Sequence, residues 1–533
     1  MRKNKILNIH PIVLLTTILL LNSCREEQLS MSNNQTVIIS EATTKNGRLY
    51  FPNKESLQAT YNELKSSQPI EIEQFVKEKE IQSLRPVITE NNEKEAMVIM
   101  KERIKNVSRL YSNTIANTSN NIVGSLTDED IYKDIDDMEE IIGDDTYSAM
   151  LNSNAEIQVA DNIYKYTDVG LFITPVENYS NLENYLEIRN ISSNLLQPTP
   201  QYVIESFLRD KPSSEIVSLG NNIEYFMAND QLMLPYDPGG DYSGGGYAPQ
   251  APTVEPSIDE IVENIRVGEV RRPKLGNIFG KTWVTEDQYE SRRRVKVKFY
   301  SQNLFLVYVV GSKVKHQYRG WTGLWRKENA DKLGIGINSI TWSFNHAYQV
   351  AYNPSNIPKT SFYMNGRYYV GLNDYYNEVY IGSKLMPKLP FDKYVQAVVE
   401  YVIPKDYVSE EEIRKIFYDY VWKQTKKIWE KQNSNKLERI AVVVDTKLTT
   451  YIQYFDFSNV QDNQNVIERL FDFGVASPMF TYTFGGVNSN GIFNISSWNF
   501  NFMKPDAVGI NMYGIAKKNG KWRGVKLIYG RQG

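Results

Sequence analysis

An α+β fold is predicted, with a mixed helix and strand region first and a β-rich antiparallel sheet or sandwich, carrying at least one packed helix, after it. Three observations predict it. Short segments of alternating apolar and polar residues, bounded by Asn-Gly and Asp/Asn-containing turns, recur in both halves of the chain, as strands require. A few segments instead place apolar residues at helical spacing. The composition, 41% hydrophobic and 23% charged with 36 Tyr, can fill real cores and favours half-buried pleated surfaces. At 533 residues the chain exceeds what one core normally organises, so two main domains are expected, over 46–234 and 258–533.

The chain opens with Arg2, Lys3 and Lys5, followed by the apolar run Ile12 to Leu21. That run is about half of the ~20 residues needed to span a bilayer as a helix, so residues 1–23 are expected to be a signal peptide. The only cysteine follows at once, in Leu21-Asn22-Ser23-Cys24. This tetrad resembles the lipobox of bacterial lipoproteins, with Asn22 where a small or apolar residue is commoner. The resemblance implies that the Cys24 thiol carries a diacylglyceryl group and that the chain is cleaved just before it. Two or three acyl chains anchor a protein stably without a transmembrane helix. Arg25-Glu26-Glu27-Gln28 resembles the acidic signal of Bacteroidota lipoproteins exported to the outer face of the outer membrane. A surface location is therefore expected, with a periplasm-facing one as the alternative. Residues 24–45, rich in Ser, Asn, Gln and Thr, are expected to form a flexible tether.

Asn46-Gly47 predicts a tight turn into the strand Arg48 to Phe51. Leu57, Tyr61 and Leu64 then mark one helix, and Met97, Met100, Ile104, Val107 and Tyr111 a second. Asp128, Asp130, Asp134, Asp136 and Asp137 invite a calcium reading, but counting from Asp134 puts Glu139 where the loop needs Gly. Ile131, Ile135, Met138 and Ile141 instead predict a solvated amphipathic helix. Short strands follow, with turns at Ala160-Asp161-Asn162 and Asp168-Val169-Gly170. Together with "NGRLYF", they are similar to the amino-terminal regions of uncharacterised Bacteroidota lipoproteins, a likeness over about a third of the chain that implies location and lineage but no active site.

Residues 235–257 are rich in Gly and Pro, which disfavour helix and strand, and are expected to form a linker. They lack the spacing of a phosphate-binding loop. Beyond them, Val295, Val297 and Phe299 alternate with Lys296 and Lys298, predicting a strand with one wet, basic face. "NLFLVYVVGS" predicts a more buried strand, and Asn365-Gly366 and Asn519-Gly520 predict hairpins. Ser409 and Glu412 form a capping-box pattern ahead of a helix bearing Ile413, Ile416, Phe417, Tyr420 and Val421, and the strand Ile440 to Val444 follows.

Little in the sequence specifies chemistry. A formal net charge of −3 argues against a general nucleic-acid binder. His316 and His346 lie outside any metal-binding spacing, no Gly-x-Ser-x-Gly elbow occurs around Ser243, and no residue pattern specifies a catalytic group, metal or cofactor. A carboxylate pair of glycosidase type would leave no signature among 63 acidic residues. The most specific feature is electrostatic: residues 266–332 hold 16 Lys and Arg against 6 Asp and Glu. Within this span Tyr318, Trp321 and Trp325 interleave with Arg319, Arg326 and Lys327. Such a cluster is suited to an anionic glycan, lipopolysaccharide or a protein partner; equally, indoles can pack beneath a hairpin with arginines lying over them. The expectation is a membrane-anchored lipoprotein that binds a ligand or partner, the alternatives being a glycan hydrolase and an envelope-assembly component.

Overall fold

A computed structural model describes residues 41–102, 142–228, 257–345, 360–370, 397–402, 439–471, 479–501 and 506–530, apart from short interruptions within these ranges. Cys24, the run from Asp128 to Asp137, nearly all of the Gly/Pro-rich stretch, His346 and the helix expected after Ser409 lie outside the described residues. What is described is α+β, with helices and a mixed sheet first and largely antiparallel sheets after.

The first sheet has seven strands, β1 (Thr43–Lys45), β2 (Arg48–Phe51), β3 (Glu156–Val159), β4 (Asn162–Thr167), β5 (Gly170–Pro175), β6 (Ile216–Gly220) and β7 (Ile223–Phe226), ordered β1-β2-β3-β4-β5-β7-β6. The predicted turn is present: Asn46 and Gly47 both have positive φ and close β1 onto β2. Only β2 and β3 run parallel, because a long excursion through helices separates them. That excursion includes α1 (Lys54–Ser66), α2 (Pro69–Glu78) and α3 (Asp145–Met150). Asn53 caps α1 by accepting from Ser56 N–H, and Leu57, Tyr61 and Leu64 are buried as their spacing predicts. Residues 93–102 are helical, with Met97 and Met100 buried, while Ile104 and beyond are outside the described residues. Two more helices, α4 (Tyr179–Ile188) and α5 (Gln201–Leu208), bring Tyr185 and Phe207 onto Phe172 of β5. The short α6 (Ile258–Asn264) starts at a capping box made by Ser257 and Glu260, at the end of the stretch read as a linker.

Two sheets face each other in the second half. One contains β8 (Gly280–Glu290), β9 (Arg293–Asn303), β10 (Tyr308–Arg319) and β11 (Trp325–Lys327) in the order β11-β10-β9-β8, with β18 (Val466–Leu470) also on β10. The other contains β12 (Ala330–Asn345), β13 (Thr360–Met364), β14 (Arg367–Val370), β15 (Ala397–Val402), β16 (Arg439–Asp445), β17 (Thr449–Gln464), β21 (Asp506–Lys518) and β22 (Lys521–Gly530), ordered β14-β13-β15-β16-β17-β12-β21-β22. A separate hairpin pairs β19 (Met479–Val487) with β20 (Phe493–Asn501). Between the two large sheets, Trp283, Val295, Val297, Phe299 and Val314 pack with Leu333, Ile335, Trp342, Met512 and Leu527, forming a sandwich core. The expected strand pairing is present on either side of both Asn-Gly pairs, with Met364 opposite Arg367 and Lys518 opposite Lys521; residues 365–366 themselves lie outside the described residues.

The expected antiparallel character holds, with the strand at Ile440 alone pairing parallel, with β15, among the described strands of this sheet. Two expectations are corrected. "NLFLVYVVGS" is not one strand: Leu304 to Val307 form the turn between β9 and β10, with Phe305 at φ 68°. The turn is apolar because the first sheet covers it; Phe305 contacts Tyr164 and Phe226, and Tyr166 donates its hydroxyl to Leu304 O at 2.7 Å. Finally, the basic face of β9 is not wet, since Lys296 is 1% and Lys298 2% exposed.

Candidate functional site

The six residues singled out around the β10–β11 hairpin separate onto two faces and a tip. Register places Arg319 opposite Trp325 and Gln317 opposite Lys327 on one face, and Tyr318 opposite Arg326 on the other. Trp325 is half-buried, with the Arg294 guanidinium 4.1 Å and that of Arg319 5.9 Å from its ring centre. Tyr318 lies between Arg293, at 5.4 Å, and Arg326, at 5.3 Å, and its hydroxyl accepts from Arg292 Nη1. Trp321, at the tip, is 72% exposed. Trp325 thus meets the arginine-covered description, and Trp321 does not.

The loop that carries Trp321 is pinned. Gly320 N–H donates to Leu324 O at 3.1 Å, Gly323 N–H to Gly320 O at 3.1 Å, and Arg319 Nε to Gly323 O at 3.0 Å. Gly323 has φ +87°, a left-handed conformation that costs a side-chain-bearing residue energy. Thr322 Oγ1 donates to Glu93 Oε1 at 2.5 Å, and a Cβ at Gly320 would overlap the same carboxylate. Leu324 is buried against Ala96 and Met97. The loop is therefore fastened to the 93–102 helix below it while the indole above it points into solvent.

The charge around the loop is balanced. Arg293 donates to Glu328 at 2.9 and 3.1 Å and to Glu290 at 2.8 Å, and these bonds hold its pKa above the ordinary range. Arg326 pairs with Glu90 and Glu93, each at 3.3 Å. The nearby His316 is wholly buried: because a carbonyl only accepts, its Nδ1 donates to Glu328 O at 2.7 Å, leaving Nε2 to accept from Tyr289 OH at 2.6 Å. Burial holds the ring's pKa below its usual value.

Five lysines of residues 266–332 lie in or beside a second cluster that the sequence does not announce. Lys298 is directly opposite Lys313 and Lys296 opposite Lys315 across β9 and β10, an unfavourable pairing of like charges. Asp145, at the start of α3, answers it by meeting Lys315 Nζ at 2.6 Å, Lys313 Nζ at 3.1 Å and Arg85, while Glu468 meets Lys313 at 2.8 Å. Burial alone would raise the Asp145 pKa, yet Arg85, Lys313, Lys315 and Lys298 hold it well below the carboxylate range. Asp144 caps α3 and accepts from Tyr61 at 2.6 Å and Lys65 at 2.7 Å. Lys327 reaches the same region, where burial, with Lys313 and Arg85 against the pull of Asp145, pushes its amine down to about 8. This cluster clamps α3 onto the five-stranded sheet. The other buried carboxylates are likewise engaged: Glu156 by Arg48 and Lys165, Asp456 by Arg469, and Asp168 by Thr199.

The Lys-x-Lys repeats at 296–298 and 313–315 were visible in the sequence, but which face would be covered was not. Nothing local links Thr322 to Glu93, which precedes it by 229 residues. Among the described residues, no helix is long and apolar enough to cross a membrane.

No family profile and no curated protein matches the chain. Among solved structures, the chain is matched to a DUF4848 family protein from Bacteroides thetaiotaomicron at 7% identity, covering 92% of this chain and 100% of that one, with a TM-score of 0.14. A score that low carries no argument about fold or function.

Proposed function

We propose that this chain is a lipid-anchored envelope protein, displayed on the outer membrane surface through Cys24, that binds a ligand or partner with its β10–β11 loop. The exposure of Trp321 on a loop pinned by hydrogen bonds carries the reading. An indole exposed on a mobile loop would say little, whereas one held out by a backbone already bonded below is preorganised, so less conformational entropy is lost on binding. Glycans, lipopolysaccharide and proteins are the ligand classes that an aromatic residue flanked by arginines suits.

The test pairs two variants of the full chain. Cys24→Ala is expected to leave the membrane fraction and to lose labelling by an impermeant biotin reagent on intact cells. Trp321→Ala is expected to keep its circular dichroism spectrum while losing binding to arrayed glycans and envelope extracts. Membrane attachment of Cys24→Ala would refute the anchor, and undiminished binding by Trp321→Ala would refute the loop.

A further inference from the structure

We infer that the ligand of the Trp321 loop is an uncharged polysaccharide, bound by stacking of a sugar ring on the indole; the inference rests on the loop being the binding site. Charge is the first argument. Of the arginines at the hairpin, Arg293 is committed to Glu290 and Glu328 and Arg326 to Glu90 and Glu93. Arg319 Nε is committed to the Gly323 carbonyl. Part of the positive excess that pointed to an anionic ligand, Lys313 and Lys315, is instead held in the buried clamp around Asp145 and Glu468. A polyanion arriving at the loop would meet the exposed carboxylates of Glu90 and Glu290 as well as guanidinium groups.

Size is the second argument. A stable protein interface covers roughly 800 Å² on each partner. Around the indole the loop offers Gly320, Thr322 and Gly323, small or polar, and its other large apolar residue, Leu324, is buried. One exposed aromatic face matches the apolar face of one sugar ring and little more. A single such contact supports only weak binding, roughly millimolar, so a repeating ligand that engages many surface-displayed copies is the form that gains useful avidity.

The probes are dextran, mannan and laminarin as neutral polymers, and heparin and lipopolysaccharide as anionic ones, each immobilised and titrated with the full chain. The expected result is binding to at least one neutral polymer that changes less than about twofold between roughly 50 and 300 mM salt, because no counterions are released. Trp321→Ala should lose at least about tenfold and Trp321→Tyr should recover most of it, since stacking needs an aromatic face. Binding confined to heparin or lipopolysaccharide, weakened about tenfold or more by the same salt increase, would overturn the neutral-sugar inference, leaving the loop in place if Trp321→Ala abolishes it and overturning both if it does not. Binding of a neutral polymer that Trp321→Ala leaves unchanged would overturn both. Absence of binding to every polysaccharide would overturn the inference.

Discussion

Replacing Glu156 with Gln is expected to destabilise the protein by about 3 kcal/mol at neutral pH, a figure the structure supplies in two ways. The Glu156 side chain is 1% exposed and accepts from Arg48 Nε at 2.7 Å, Lys165 Nζ at 2.8 Å and Tyr179 OH. Burial alone would raise its pKa, but Lys165, Tyr179 and Arg48 draw it from the ordinary 4.5 to about 2. A fall of that size corresponds to about 3 kcal/mol of stability at pH 7. Breaking a buried ion pair by removing one partner costs ~3–5 kcal/mol, which agrees. Because the folded value is depressed, the contribution is complete above the unfolded value near 4.5 and is lost as pH falls through about 2. Urea unfolding followed by circular dichroism at pH 7 and pH 3 measures the difference between wild type and Glu156→Gln. It should fall to under about half its neutral value at the lower pH. Adding Lys165→Met should recover part of the loss, since one uncompensated buried cation is removed. A neutral-pH difference below about 0.5 kcal/mol, or one unchanged at pH 3, would refute the assignment of this carboxylate as a charged keystone of the first sheet.

Three further outcomes are expected. Asp145→Asn leaves Arg85, Lys313 and Lys315 facing one another without their shared carboxylate, so hydrogen exchange should accelerate in α3 and β10; unchanged protection there would contradict the clamp. His316 is held neutral by burial among Tyr289, Glu328, Arg293 and Lys518, so the unfolded chain takes up its proton first. Wild type should therefore lose stability as pH falls below about 6.5, and His316→Gln should flatten that part of the melting-temperature profile; parallel profiles would count against the neutral ring. Gly520 has φ +76° with open space where a Cβ would sit, so Gly520→Ala should cost about 1 kcal/mol from backbone strain alone. A urea midpoint identical to wild type would show that the Asn519-Gly520 turn tolerates a side chain.

The elements legible in the sequence were those whose determinants lie within a few residues of one another. Asn46-Gly47 and Asn519-Gly520 announced their hairpins because left-handed turn geometry selects those residue types. Leu57, Tyr61 and Leu64 announced α1 because a helix brings positions three and four apart onto one face. The turn Leu304 to Val307 departs from its strand-like pattern for the complementary reason: its apolar residues answer to Tyr164, Tyr166 and Phe226, in a different sheet, and local pattern carries no trace of them.

At the hairpin the same division holds. Interleaved aromatic and basic residues from Tyr318 to Lys327 marked the segment, but alternation alone did not say that Trp325 would sit under Arg294 while Trp321 stood clear. By itself the sequence determined the α+β class, several strands and turns, and the alternation of Lys296 and Lys298 with Val295, Val297 and Phe299. Only the tertiary structure decided that those lysines would be buried, that Asp145 and Glu468 would meet the facing Lys313 and Lys315, and that Glu93 would fasten the Trp321 loop. Periodicity is set by the geometry of one segment, whereas burial and charge pairing are set by whichever distant segment packs against it.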